Sequence, residues 1–280
     1  MVQFTIYAEF ISAVTKRVVF CTYPSLYSDI VLDSLLSSSE IELVGVIIST
    51  RTANTHDGFI RGAWRHLQRS GIHYSVYQWA VTAGYESLGK FSGRQSFRKT
   101  IETMGIPVWC TQDINDSDSL AFVEKISPDI LLSAHFNQLI KPTLLSFPSL
   151  DCINIHPSLL PDFKGVDPGF FMLMDEAEMM GVTVHLQSDV FDEGEILAQR
   201  ILHNHQKQSL MALNMSLFQL GADAAVEVIA ADSWIPQPQI TMGRYDSWPS
   251  KAQVRSFRAR YKLLALRQWF SYAAKRRHSR

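Results

Sequence analysis

Apolar residues fall along the chain in short runs. Residues 17–21 (RVVFC) and 43–49 (LVGVIIS) are β-branched and apolar at successive positions, the pattern of strands buried on both faces of a parallel sheet. Between them a turn at Tyr23-Pro24-Ser25 leads into an apolar-periodic segment, 30–36, so the order is strand, helix, strand. The same rhythm returns at 128–133 (PDILLS) and 152–155 (CINI), joined by a short helical link over 142–147. Residues 182–186 and 196–202 read as paired strands around a loop holding Asp189, Asp192 and Glu193. Residues 210–230 follow as the last helix. Alternation of this kind predicts an α/β fold with a doubly wound, mostly parallel, Rossmann-like sheet. It covers 17–232, leaving 1–16 as an N-terminal extension and 233–280 as a C-terminal one.

Two segments break the rhythm. A helical insertion over about 56–100 holds seven basic residues (Arg61, Arg65, Arg69, Lys90, Arg94, Arg98, Lys99) against Asp57 and Glu86, interleaved with Trp64, Tyr74, Tyr77, Trp79 and Tyr85. Its stretch IHYSVYQWAV (72–81) suits packing onto the sheet, a lid, a dimer contact or an interfacial helix. The tail, 251–280, holds ten basic residues and no acidic one. Its helical period with a basic face suits contact with tRNA phosphates or a membrane surface, or simply a solvated face.

Composition narrows the compartment more than the partners. At 280 residues and 46% hydrophobic, the chain can bury a full core. Its net charge of −1, averaged over the chain, selects no partner. Cys21, Cys110 and Cys152 are scattered without a CxxC pair, which argues against a disulfide framework and a zinc site. No run approaches the ~20 apolar residues of a membrane span. The N-terminus has Glu9 early and its basic pair late, opposite to a secretory leader. A cytoplasmic protein is expected.

The densest chemistry lies at Asn154-Ile155-His156-Pro157-Ser158-Leu159-Leu160-Pro161, continuing to Lys164-Gly165. Asn154 and His156 are two apart on a strand and project to one side at its carboxyl end, where open α/β sheets bind ligands. Pro157 and Pro161 stiffen the following loop, and Gly165 permits a sharp turn. A loop after 181–186 can return Asp192 to His156. A carboxamide, an imidazole and a carboxylate together suit acyl transfer to an amine. The Asn154 N–H and a protonated His156 can hold the oxygen of a tetrahedral intermediate, while Asp192 raises the imidazole pKa and relays a proton. A metal triple of His156, His185 and Asp192 has no recognised ligand spacing. Ser158 lacks the elbow of a serine hydrolase.

The stretch NIHPSLLPDFKG, followed by GVTVHLQSDVFDEGEIL, resembles the signature of the folate-dependent formyltransferases. That family includes glycinamide ribonucleotide, methionyl-tRNA and sugar N-formyltransferases. The resemblance covers roughly 17–48 and 106–230 and sets the family's catalytic Asn, His and Asp on Asn154, His156 and Asp192. It implies transfer of a formyl group from 10-formyltetrahydrofolate, with no metal, to a primary amine of unidentified kind. The segment 132–142 resembles the family's folate-pocket strand and loop. By that likeness Phe136, Asn137, Gln138, Leu139 and Ile140 line the pterin pocket, and Ser188, Asp189 and Val190 close its other side.

The acceptor stays open. The glycine-rich phosphate loop of the glycinamide ribonucleotide branch is replaced here by Cys21-Thr22-Tyr23-Pro24-Ser25-Leu26. The methionyl-tRNA branch adds a C-terminal barrel, for which residues 231–280 are too few and too helical in pattern. A non-catalytic folate-binding or scaffold protein of the same fold is one alternative, weakened by the complete Asn, His and Asp set. A formyltetrahydrofolate hydrolase is another. The family's deformylases have an N-terminal regulatory domain, for which residues 1–16 leave no room.

Overall fold

The computed structural model describes residues 15–51, 59–91, 97–203, 209–231, 233–240 and 243–275. Most of the expected extension 1–16, the last residues of the tail and parts of the insertion lie outside them. The chain begins β1 (Lys16–Thr22), α1 (Leu26–Ser37), β2 (Ile41–Ser49), then α2 (Phe59–Val81), α3 (Ala83–Phe91) and α4 (Phe97–Thr103). It continues with β3 (Val108–Thr111), α5 (Ser117–Ile126), β4 (Ile130–Ala134), α6 (Pro142–Leu145), β5 (Asp151–His156), β6 (Lys164–Gly165) and α7 (Pro168–Met174). Last come β7 (Gly181–Leu186), β8 (Ile196–Ile201), α8 (Leu210–Ala230), β9 (Tyr245–Asp246), α9 (Lys251–Arg260) and α10 (Leu266–Lys275).

One sheet runs β3-β2-β1-β4-β5-β7-β8. The first five strands are parallel, and β7 and β8 add an antiparallel edge. This is the doubly wound, mostly parallel sheet expected from the apolar runs. Alternate residues of β1 face opposite sides, as a pleated strand requires. Val18 and Phe20 enter a core with α1 and α8, while Val19 and Cys21 enter a second one with Val123 of α5 and Leu144 of α6. Both faces are therefore covered, so the middle residues of β1, β2 and β4 are apolar on either side, and polar residues fall toward the strand ends.

The insertion is anchored by buried phenols. Tyr74, Tyr77 and Tyr85 are fully buried. Tyr74 Oη donates to Asp167 Oδ2 at 2.6 Å, Tyr77 Oη shares a hydrogen bond with Tyr27 Oη at 2.7 Å, and Tyr85 Oη donates to Asp29 Oδ2 at 2.5 Å. The opposite side of α2 leaves Trp64, Ile72, Val76 and Trp79 exposed. In the C-terminal segment, Phe257 of α9 stacks on Phe170 of α7 with centroids 4.5 Å apart, and Tyr272 of α10 donates to Asp33 at 3.0 Å. Among the described residues no helix is long and apolar enough to cross a membrane.

Candidate active site

Strand register assembles the site. Asn154 on β5 pairs with Ser133 on β4 and with His185 on β7, so three polar side chains form one row across the carboxyl end of the parallel sheet. Their hydrogen bonds run head to tail. Gln187 Nε2 donates to Ser133 Oγ (2.9 Å), Ser133 Oγ to Asn154 Oδ1 (2.5 Å), and Asn154 Nδ2 to His185 Nε2 (3.0 Å). His185 Nδ1 donates in turn to the Leu186 carbonyl at 2.6 Å, which leaves Nε2 as the acceptor. Bonds in such a chain polarise one another. Asn154 is thereby fixed as to which end is amine and which is carbonyl, and among the described residues its Nδ2 has one acceptor, His185.

His156 ends β5 and is 4% exposed. Its Nδ1 lies 3.2 Å from Asp192 Oδ1, and its Nε2 lies 3.0 Å from the Phe163 carbonyl. Two acceptors on one ring are satisfied together only by the imidazolium. Burial pushes the His156 pKa down, yet the Asp192 charge and hydrogen bond outweigh it and the net shift is upward from 6.5. Burial raises Asp192, but the His156 charge and hydrogen bond carry it to about 2. For His185, burial and then the His156 charge act together and lower it to about 4. The row is therefore a neutral imidazole beside a charged one, their ring centroids 6.4 Å apart.

Asp192 is held on its other oxygen as well. The Gly165 N–H donates to Oδ2 at 2.8 Å, and Asp192 itself adopts φ 59°, a left-handed backbone that Asp tolerates better than most residues. The HPSLLP loop is braced as its prolines imply. Thr183 Oγ1 donates to the Ser158 carbonyl (2.7 Å) and accepts from the Leu160 N–H (2.9 Å). Ser158 Oγ donates to the Asp162 carbonyl at 2.7 Å, so this serine is a brace. Lys164, 5% exposed as a side chain, places its Nζ 3.5 Å from Glu193 Oε1. Among the described residues no group of three or more His, Cys, Asp or Glu is arranged to hold a metal ion, and all four ring nitrogens of His156 and His185 are bonded to protein.

A cleft of about 50 Å³ opens beside Asn154, His185 and Asp192; Phe136, Gln138, Leu139, Ser188 and Val190 also border it. These are five of the eight residues expected at the pterin pocket. The other three lie elsewhere. Asn137 bonds Ser49 Oγ and the Arg51 carbonyl, Ile140 is in the core below, and Asp189 is outside the lining. His156 is outside that lining, and in this structure its Nδ1 and Nε2 face Asp192 and the Phe163 carbonyl. Phe191, within the 188–192 stretch expected to close the pocket, borders the cleft too, while Ser133 and Gln187 border it without having been assigned a role from sequence; only register and loop position reveal those two.

The family model described as "Formyl transferase" matches residues 75–229, more than half of the 280 residues. The chain belongs to the formyl transferase family. It is 37% identical over 124 residues to a methionyl-tRNA formyltransferase of Syntrophus aciditrophicus (strain SB), covering 44% of this chain and 40% of that one. Over 224 residues it is 26% identical to the methionyl-tRNA formyltransferase of Ehrlichia ruminantium (strain Welgevonden), covering 80% and 63%. The chain thus spans less than two thirds of either relative. A sugar N-formyltransferase from Shewanella sp shares its fold, with a TM-score of 0.54 at 14% identity over 83% of this chain and 77% of that one. So does a phosphoribosylglycinamide formyltransferase from Bacillus halodurans, at 0.51 and 17% over 77% and 94%.

Proposed function

We propose that this chain transfers a formyl group from 10-formyltetrahydrofolate to a primary amine at the cleft beside Asn154. The observation behind this reading is an oriented carboxamide set against a buried imidazolium–carboxylate pair, at the carboxyl ends of parallel strands. The donor supplies a formyl carbonyl carbon open to attack. The second N–H of Asn154 donates to that carbonyl oxygen as negative charge develops, a pre-aimed dipole in a site of low polarity. His156, locked between Asp192 and Phe163, acts through its charge at short range. Asp192 keeps that charge in place. Ionised down to about pH 2, it is a weak base, and it orients the water that passes the amine proton to the leaving nitrogen.

The lining mixes apolar faces (Phe136, Leu139, Val190) with amide and hydroxyl groups (Gln138, Gln187, Ser188), which suits a flat, hydrogen-bonding ring. At about 50 Å³ the enclosed part of the cleft holds no more than a few waters. Val190 and Phe191 at its mouth are 49% and 40% exposed and gain cover when a ring enters.

For the acceptor, the N-terminus of α1 is informative. The Ser25 and Ser28 N–H groups there are used by a capping box between the two serines, and Ser25 Oγ also meets His135 Nδ1 at 3.1 Å. A helix end satisfied in this way is a poor cradle for an acceptor phosphate, which favours an amine recognised by other means. The test mixes purified protein with 10-formyltetrahydrofolate and follows tetrahydrofolate release against glycinamide ribonucleotide, amino-sugar nucleotides and methionyl-tRNA. Release stimulated by one amine is expected. No stimulation by any of them would overturn transfer, and equal release in water alone would favour hydrolysis.

A further inference from the structure

A second cavity, sharing no lining residue with the cleft, lies between the break in α2 and the first turns of α9. It measures about 390 Å³ and is lined by Ser70, Gly71, His73, Lys251, Arg255 and Arg258, with Leu67, Ile72 and Val254 as its apolar walls. Lys251, Val254, Arg255 and Arg258 are spaced i, i+3, i+4 and i+7 and share one stripe of α9. Val254 is buried, so the same stripe that packs inward presents the three cations. No carboxylate is among the lining residues. The other basic residue of this helix, Arg260, pairs with Glu176; among the described residues none of the three on the stripe has an ion pair.

The α2 side adds donors. Gly71 adopts φ 80° and ψ 169°, which interrupts the helix, so Ile72 and His73 begin a new run that continues to Val81. First-turn N–H groups have no carbonyl one turn back, and their partial positive charge faces outward along the axis. An added Cβ at Gly71 would meet Lys251 Cγ at 3.3 Å, so the break also lets α9 come close. Ser70, on the cavity wall, is 0% exposed, and its Oγ is buried without a hydrogen-bond partner. A buried hydroxyl left unbonded is uncommon and costly unless something completes it.

We propose that this cavity is a phosphate-binding site for a small phosphorylated molecule. Two guanidinium groups, an ammonium and a helix start border one volume, with a buried hydroxyl in its wall, a set of donors suited to the several oxygens of a phosphate monoester. The enclosed serine and the concave walls suit a group that inserts, where a duplex backbone or a lipid surface would meet only the outer arginines. The proposal does not depend on the formyl-transfer reading.

Calorimetric titration of the full chain with ribose 5-phosphate tests it, with a blunt RNA duplex and phosphatidylglycerol vesicles as separate arms. Saturable binding of ribose 5-phosphate is expected, weakened about tenfold or more by Arg255→Gln with Arg258→Gln and reduced by Ser70→Ala. Arg267→Gln, on α10, leaves it unchanged. Absence of saturable ribose 5-phosphate binding overturns the proposal, as does binding that the double variant does not weaken. RNA or vesicle binding lost in the double variant, with no binding of the monoester, would assign the face to that macromolecule instead.

Discussion

Asn154 Nδ2 lies 3.0 Å from His185 Nε2, and His185 is committed as acceptor because its Nδ1 bonds the Leu186 carbonyl at 2.6 Å. A neutral imidazole on the neighbouring strand therefore sets the rotamer of the carboxamide that faces the cleft. His185→Leu removes that acceptor while preserving bulk. Turnover should fall roughly ten- to hundredfold, below the cost of deleting an oxyanion donor outright, with KM little changed. His185→Gln, whose carbonyl can accept the same bond, should recover most of the loss. Steady-state kinetics on both variants decide it, and wild-type turnover in His185→Leu would show that the contact orients nothing.

The His156–Asp192 pair predicts a pH profile. His156 is raised above 6.5 in the folded chain, so its contribution to stability is complete below 6.5 and is lost as pH rises through the raised value. Asp192 falls from 3.8 to about 2, so its contribution, on the order of 2 kcal/mol, is present above 3.8 and lost as pH falls toward 2. Activity that depends on the imidazolium should decline on the alkaline side. Asp192→Asn leaves burial and Lys164 lowering His156 against the Phe163 hydrogen bond alone, so the alkaline limb should move to lower pH. An unmoved limb in kcat/KM profiles would remove His156 as the titrating group.

The strands of the sheet centre were legible because burial on both faces makes them continuous apolar runs. The four-residue edge strand β3 (VWCT) has no such run, and β6 and β9 are two residues each, too short for any period. Asn154 and His156 could be placed at a strand end by spacing alone. Their neighbours could not, because Ser133 and His185 reach Asn154 through the registers of β4 and β7, which an apolar pattern leaves undetermined. The resemblance of segment 132–142 places Ile140 at the pocket, whereas its side chain packs in the core.

Asp167 holds the insertion to the body, accepting from Tyr74 Oη at 2.6 Å and Asn214 Nδ2 at 3.0 Å. Burial raises its pKa, and the two hydrogen bonds only partly offset this. Its protonated form is the one that folding favours, so stability from this group is present at low pH and lost as pH rises through the raised value. Tyr74→Phe takes away one donor and should cost about 1–3 kcal/mol. The loss should grow as pH rises through the raised value, since the stranded carboxylate is charged above it. Urea unfolding over a pH series measures it; a loss independent of pH would mean that the phenol contributes only packing.

Gly165 joins stability to the site. Its φ is 98°, and a Cβ there would lie 2.1 Å from the Asp246 carbonyl oxygen, across the pairing of β6 with β9. The same residue's N–H donates to Asp192 Oδ2 at 2.8 Å. Gly165→Ala therefore meets both backbone strain and a clash with main chain that has no side-chain freedom to yield, together roughly 2–4 kcal/mol. Relief requires β6 to move, which withdraws the N–H from Asp192 and lets its pKa rise from about 2. The Ala variant should melt lower and, where still folded, turn over more slowly with KM less affected. A variant with lowered melting temperature but undiminished turnover would separate the strand pairing from the carboxylate it is argued to hold.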